Sequence, residues 1–224
     1  MKIISLVASP KGKKGNTAGL LKHVIKGAEK QGAKIETIYL LGDSVLPCKA
    51  CDVCHIKGKC PQKDEFNVIK DKILDSDGLI LASPNYIFSV SAQLKAFMDR
   101  CCGVLHLIAF EGKYGASVVT SGGGEEEPIA DYMNHFLMTT GIYSVGSVWA
   151  TMSKIYGDEF PDDIKNKAIE LGENLVKSWK DKKTSPEFDK SFSSFKDRMR
   201  NLINYRKDEW KYEYEHWKKN RHLS

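Results

Sequence analysis

The chain has 224 residues, 42% hydrophobic and 28% charged, which suffices for one sizeable core and excludes a disordered or fibrous chain. Its net charge of +5 and pI near 8.7 are spread along the sequence and too small to imply nucleic acid, and no apolar run is long enough to span a membrane. The opening Met1 to Ser9 is too short for a signal peptide, and Pro10 to Gly15 stand where cleavage would fall. A buried first strand and a reducing, cytoplasmic home for the six cysteines are therefore expected.

Residues Lys2 to Ala8 are almost continuously apolar, as in a strand covered on both faces of a parallel sheet. A loop from Ser9 to Thr17 leads into apolar positions Leu20, Leu21, Val24, Ile25 and Ala28 at helical spacing, closed by Gly32. Ile35 to Leu40 predict a second strand, followed by a cysteine-rich loop. Phe66, Ile69, Ile73 and Leu74 mark a short amphipathic helix, and Gly78 to Ala82 a third strand with a loop over Ser83 to Phe88. A helix is predicted over Ala92 to Cys102, and a fourth strand over Tyr114 to Thr120 that runs into Gly122, Gly123 and Gly124. A helix starting near Pro128 ends at Gly141, a fifth strand covers Ile142 to Ala150, and a helix covers Pro161 to Lys180.

Five strand–helix alternations predict an α/β domain over residues 1–180. The expected form is a flavodoxin-like three-layer sandwich with a five-stranded parallel sheet of order 2-1-3-4-5. Ligands of such sheets sit at the carboxyl ends of the strands, so the loops after strands one to four should share one edge. Residues 181–224 read as a C-terminal helical extension. Phe188, Phe192, Phe195, Met199, Leu202, Ile203 and Tyr205 give it an apolar face, which must pack on its own domain or on another subunit as an oligomerisation arm.

Two groups of loops carry chemistry. Cys48, Cys51, Cys54 and Cys60 follow a C-x2-C-x2-C-x5-C spacing closed by Pro61. Thiolates at this density favour a 4Fe–4S cluster, with zinc, free thiols or a disulfide as competing readings. In the first loop, Ser9, Asn16 and Thr17 offer short polar groups and Gly12 and Gly15 bare amides ahead of a helix N-terminus. Lys11, Lys13 and Lys14 add positive charge. The loop matches neither a nucleotide triphosphatase nor a dinucleotide fingerprint, and suits a monophosphate such as that of FMN. Pro84, Asn85, Tyr86, Ile87 and Phe88 supply a turn, polar atoms and aromatic cover for a flavin ring. Thr120, Gly122 and Gly123 can bring bare backbone against it. Glu125 to Glu127 favour the start of the next helix.

Ser9-Pro-Lys-(x)3-Gly-Asn-Thr17, the four-cysteine run and Ser83-Pro-Asn-Tyr-(x)4-Ser91-Ala-Gln-Leu-Lys95-Ala-Phe-Met-Asp-Arg100 together resemble the NADPH-dependent FMN reductase superfamily, in particular its iron–sulfur flavoprotein branch. The resemblance implies FMN on the loops Ser9–Thr17, Pro84–Phe88 and Thr120–Gly124, a 4Fe–4S cluster on Cys48, Cys51, Cys54 and Cys60, and a homodimer or homotetramer bringing the two cofactors together across subunits. The expected activity is electron transfer between one- and two-electron carriers, with NAD(P)H or a ferredoxin-like protein as partner, and with neither nucleic acid nor membrane. The alternatives are a cluster-free NAD(P)H-dependent FMN or quinone reductase and a non-enzymatic thiol or metal redox sensor. Of the remaining residues, Cys101 and Cys102 are expected to be buried apolar groups and His55 to face solvent. His106 and His135 have no partner visible in sequence, and Asp99 with Arg100 suggests a local ion pair.

Overall fold

A computed structural model of the chain describes residues 1–155 and 159–221. Strands β1 (Lys2–Val7), β2 (Lys34–Tyr39), β3 (Gly78–Pro84), β4 (Tyr114–Ser121) and β5 (Tyr143–Thr151) pair in parallel in the order 2-1-3-4-5. Successive side chains of a strand point to opposite faces, and both faces of this sheet are covered. Ile3 and Val7 therefore join one core with Ile80, Ala82, Ala116 and Val118. Ile4 and Leu6 join the other with Leu79 and Leu81.

The first core is closed by α1 (Asn16–Lys30). The chain after β2 forms the short α2 (Val53–Lys57) within the cysteine loop, then α3 (Phe66–Leu74) over the second core. The helix predicted over Ala92 to Cys102 is broken at Cys101 into α4 (Ala92–Arg100) and α5 (Cys102–Leu107). Next come α6 (Glu126–Thr140), which starts two residues ahead of Pro128, and α7 (Asp162–Lys180), which lies beside α1. The predicted start of that last helix, Pro161, is its N-cap.

The α1–α7 crossing has no room for side chains. A Cβ on Gly27 would stand 1.9 Å from the Ile169 carbonyl oxygen, and one on Gly172 would stand 2.0 Å from that of Val24. Overpacking a core typically costs about 1–3 kcal/mol, and backbone cannot swing aside as a side chain can. Gly27→Val should lower the unfolding free energy by at least that much, read as a lower urea midpoint at unchanged slope. A midpoint equal to the native one would show that the two helices slide apart freely.

The extension is two helices, α8 (Pro186–Tyr205) and α9 (Lys211–Arg221). Ser185 caps α8 by accepting from the Phe188 amide, and Pro186 occupies its first turn. Both helices pack on their own chain. Phe192, Met199 and Ile203 of α8 and Trp217 of α9 form a third cluster with Leu107 and Ile108. Trp217 Nε1 donates to the His106 carbonyl at 3.0 Å, and Arg221 pairs with Glu111 at 2.6 Å. Among the described residues no helix is long and apolar enough to cross a membrane.

Candidate functional site

The loops after β1, β3 and β4 meet at the carboxyl edge of the sheet and are tied together by hydrogen bonds. Ser91 Oγ, ahead of α4, donates to the Ala8 carbonyl at 2.6 Å, and the Ser91 amide donates to Ser83 Oγ at 2.9 Å. The hydroxyls of Thr17 and Thr120 are 2.6 Å apart. The Asn85 amide donates to the Thr120 carbonyl at 2.7 Å, and Asn85 Nδ2 donates to the Gly124 carbonyl at 3.0 Å. Ser9, Thr17, Asn85 and Thr120 thus share one small region, as the sequence predicts.

Several features of this edge face open space. No side chain caps α1 behind Gly15, so the first-turn amides around Asn16 and Thr17 point into the loop. Ser9 Oγ accepts from the Lys11 amide, while the Lys11 side chain reaches solvent. Among the described residues, Asn85 Oδ1 is buried without a hydrogen-bond partner, and a Cβ at Gly122, Gly123 or Gly124 would meet no atom within 4 Å. Pro84 is the last residue of β3, a strand two residues longer than predicted. Beyond it, Ile87 and Phe88 are 90% and 76% exposed, with φ of 49° and 59°. A β-branched residue in the left-handed region is strained, and such strain gathers at ligand sites.

Glu126 does more than start a helix. It is buried and accepts from Ser121 Oγ and, at 2.6 Å, from Thr151 Oγ1, bracing the glycine turn against the end of β5. Burial works to raise its carboxyl pKa, but the bonds from Ser121, Thr151 and a backbone amide hold it below the ordinary 4.5. A carboxylate depressed in the folded state stabilises above its unfolded pKa and loses that contribution as pH falls through the folded value. The native chain should therefore lose thermal stability faster below about pH 4.5 than Glu126→Gln, so their melting curves converge on acidification. Parallel curves between pH 3 and 6 would contradict this.

The cysteine loop, expected to share this edge with the other three loops, instead packs against the far end of α4 at Arg100, which corrects that expectation. Ala50, Asp52 and Gly58 all adopt positive φ, coiling the chain tightly around α2. Leu46 donates to Asp64 Oδ2 at 2.8 Å, and Asn67 Nδ2 donates to the Cys60 carbonyl at 2.9 Å, pinning both ends of the loop. Cys48, Cys51, Cys54 and Cys60 are free thiols that line a single cavity of about 190 Å³. Asp99, Arg100 and Cys102 close its far wall. Arg100 ends α4, nine residues after the Ser91 cap, so the sulfurs lie on the order of 10 Å along the helix axis from the sheet edge.

Arg100 does not pair with Asp99, which instead binds Lys95 one turn back. The Arg100 guanidinium is buried and pairs with Asp64. It also donates to the Leu46 carbonyl at 3.3 Å and to Cys60 Sγ at 3.2 Å, and packs 4.4 Å above the Phe66 ring. Burial opposes the Asp64 charge, but Arg100 and the amides of Leu46 and Phe66 hold its pKa below the usual carboxylate range.

Two further expectations, those for His55 and Cys102, are corrected, and His106 finds a partner that the sequence does not show. His55 is buried, not solvent-facing, with Nδ1 2.6 Å from Glu213 Oε1. His106 has a partner in the same carboxylate, its Nδ1 lying 3.0 Å from Oε2. Cys101 is buried as expected, and burial pushes its thiol pKa up. Cys102 is instead a polar group 3.7 Å from His106 Nε2.

A doubly wound sheet whose carboxyl edge gathers bare amides, beside a pocket of thiols, defines a flavodoxin-like protein of the flavin-dependent oxidoreductase class. Residues 1–157 match the family model for NADPH-dependent FMN reductase. An iron–sulfur flavoprotein of Archaeoglobus fulgidus is 33% identical over 97% of this chain and 98% of its own. Another, from Methanocaldococcus jannaschii, is 35% identical over 79% of this chain and 94% of its own. A solved NADH:FMN oxidoreductase in its apo form, 20% identical, superposes with a TM-score of 0.60 over 84% of this chain and 92% of its own, a likeness of fold. The chain belongs to the NADPH-dependent FMN reductase family.

Proposed function

We propose that this protein binds FMN and a 4Fe–4S cluster and passes electrons between one-electron and two-electron carriers. The observation that carries this reading is the convergence of all four thiols of the C-x2-C-x2-C-x5-C run on one cavity, with a buried guanidinium donating to one of the sulfurs. That donor set fits an iron–sulfur cluster held by Cys48, Cys51, Cys54 and Cys60. The uncapped first turn of α1, with Ser9, Gly15, Asn16, Thr17 and Lys11, suits a phosphate. The unpartnered Asn85 Oδ1 suits a ring N–H, and the open backbone at Gly122 and Gly123 leaves space for a flat ring. Thr120 joins these loops, and Pro84, Tyr86, Ile87 and Phe88 supply the apolar cover. FMN takes up or releases two electrons together or singly, whereas a cluster carries one at a time. No side chain is assigned as acid or base.

The separation between the flavin loops and the sulfurs along α4 favours electron passage across a homodimer or homotetramer interface, with exposed Ile87 and Phe88 as part of the contact. NAD(P)H or a ferredoxin-like protein would supply the electrons, and free thiols suit a reducing cytoplasm. The domain division at residue 180 remains part of this proposal. Protein purified without oxygen should be brown and contain FMN, iron and acid-labile sulfide. Cys51→Ala should lose the iron and keep the flavin. A colourless protein that takes up no added FMN would end the proposal, and one holding flavin but no iron would leave a cluster-free reductase. That second reading is favoured by similarity to an FMN-dependent NADH:quinone oxidoreductase of Shewanella oneidensis, 28% identical over 66% of this chain.

A further inference from the structure

Sharing a wall with the four-cysteine cavity, which His55 and Cys102 also line, lies a second cluster of metal-ligating groups, drawn from three separate elements. His55 comes from α2, Cys102 and His106 from α5, and Glu213 from α9. One donor atom each from His55, Cys102 and His106 lies within 4.8 Å of the other two. His55, His106 and Glu213 are 4%, 7% and 0% exposed. Trp210 stacks on both imidazoles at 4.7 Å.

We infer that His55, His106 and Cys102 bind a divalent cation of the zinc type, with Glu213 orienting both imidazoles. The carboxylate carries the geometric argument. It receives the Nδ1 of His55 on one oxygen and that of His106 on the other, at 2.6 and 3.0 Å. With a cation bound, each imidazole would donate its Nδ1 proton to the carboxylate and present Nε2 to the metal. This carboxylate–histidine arrangement orients metal-binding imidazoles and raises their basicity. It occurs here twice on a single acid.

The distances agree. Zinc–sulfur and zinc–nitrogen bonds of about 2.3 and 2.0–2.1 Å, spanning a tetrahedral angle, put the two donors about 3.6 Å apart. Cys102 Sγ stands 3.7 Å from His106 Nε2, a separation that a hydrogen bond to sulfur also spans. The charges also balance, because two positive charges meet one thiolate and one carboxylate, as a buried ion requires. Asp52, whose Oδ1 is 3.9 Å from a His55 ring nitrogen, or water would complete the coordination.

Such a cation would clamp the cysteine loop to α5 and to the extension. Two histidines and one thiolate with an imidazole-orienting acid suit zinc, whereas the four cysteines of the adjoining cavity suit an iron–sulfur cluster.

The test is metal analysis and zinc X-ray absorption on the intact protein, purified without oxygen and incubated with zinc chloride before gel filtration. The expected result is about one zinc per chain, in a shell of one sulfur near 2.3 Å and lighter donors near 2.0 Å. Cys102→Ser and His106→Ala should both lose that zinc, and His106→Ala should keep iron and FMN, whereas Cys48→Ala should lose iron and keep zinc. Glu213→Gln should weaken zinc binding about 10- to 100-fold. A shell of four sulfurs, no retained zinc, or zinc retained by both Cys102→Ser and His106→Ala would overturn the inference. Because iron and zinc are counted separately, loss of the cluster reading would leave this one standing, and the reverse holds as well.

Discussion

Arg100→Leu should destabilise the protein by about 3–5 kcal/mol, the usual result of removing one partner of a buried ion pair. For a chain of this size that is a fall in melting temperature on the order of 10 °C. The Asp64 carboxylate would stay buried with only the Leu46 and Phe66 amides for company. The Phe66 ring would lose its cation, and the Leu46 carbonyl and Cys60 sulfur would each lose a donor. The tie between α4 and the end of the cysteine loop would be cut, so iron content should fall with stability. Adding Asp64→Leu should restore much of the stability, because the stranded charge is then gone. If the double variant melts as low as the single one, Arg100 acts chiefly through Cys60 and Phe66, and the ion-pair account fails.

Gly15→Val should weaken FMN binding by about 5- to 150-fold, the equivalent of the 1–3 kcal/mol that overpacking costs, at 1.4 kcal/mol per decade. A Cβ at this position would stand 2.6 Å from Ser9 Oγ and 3.2 Å from Lys11 Cβ. Ser9 and the amides at the start of α1 could not then hold their present spacing. The backbone at Gly15 is extended, with φ of −80°, so the penalty is one of space and not of conformation. The unfolding midpoint should move little, since the crowding falls at the sheet edge and not in either core. Titration of FMN against the native chain and the variant, followed by flavin fluorescence, reads the effect. Equal affinities would mean that the phosphate does not sit at this loop.

The sequence alone determined the sheet order, the alternation of strands and helices, and the two groups of loops. Each rests on local regularity: the apolar run of β1 that fills both cores, the helical spacing of Leu20, Leu21, Val24 and Ala28, the glycines of the turns and the thirteen-residue cysteine run. The third core and everything attached to it were decided only by tertiary structure. A lone histidine or acid forms no local pattern, so nothing near position 213 marks Glu213 as buried. Its partners stand 158 and 107 residues away. Arg100 was read with its neighbour Asp99 because adjacency is visible in a sequence, whereas Asp64, 36 residues back, meets it only after the loop closes under α4. Apolar area draws such segments together, and once they are dry each buried charge must find an opposite charge or a hydrogen bond wherever the packing has brought one within reach.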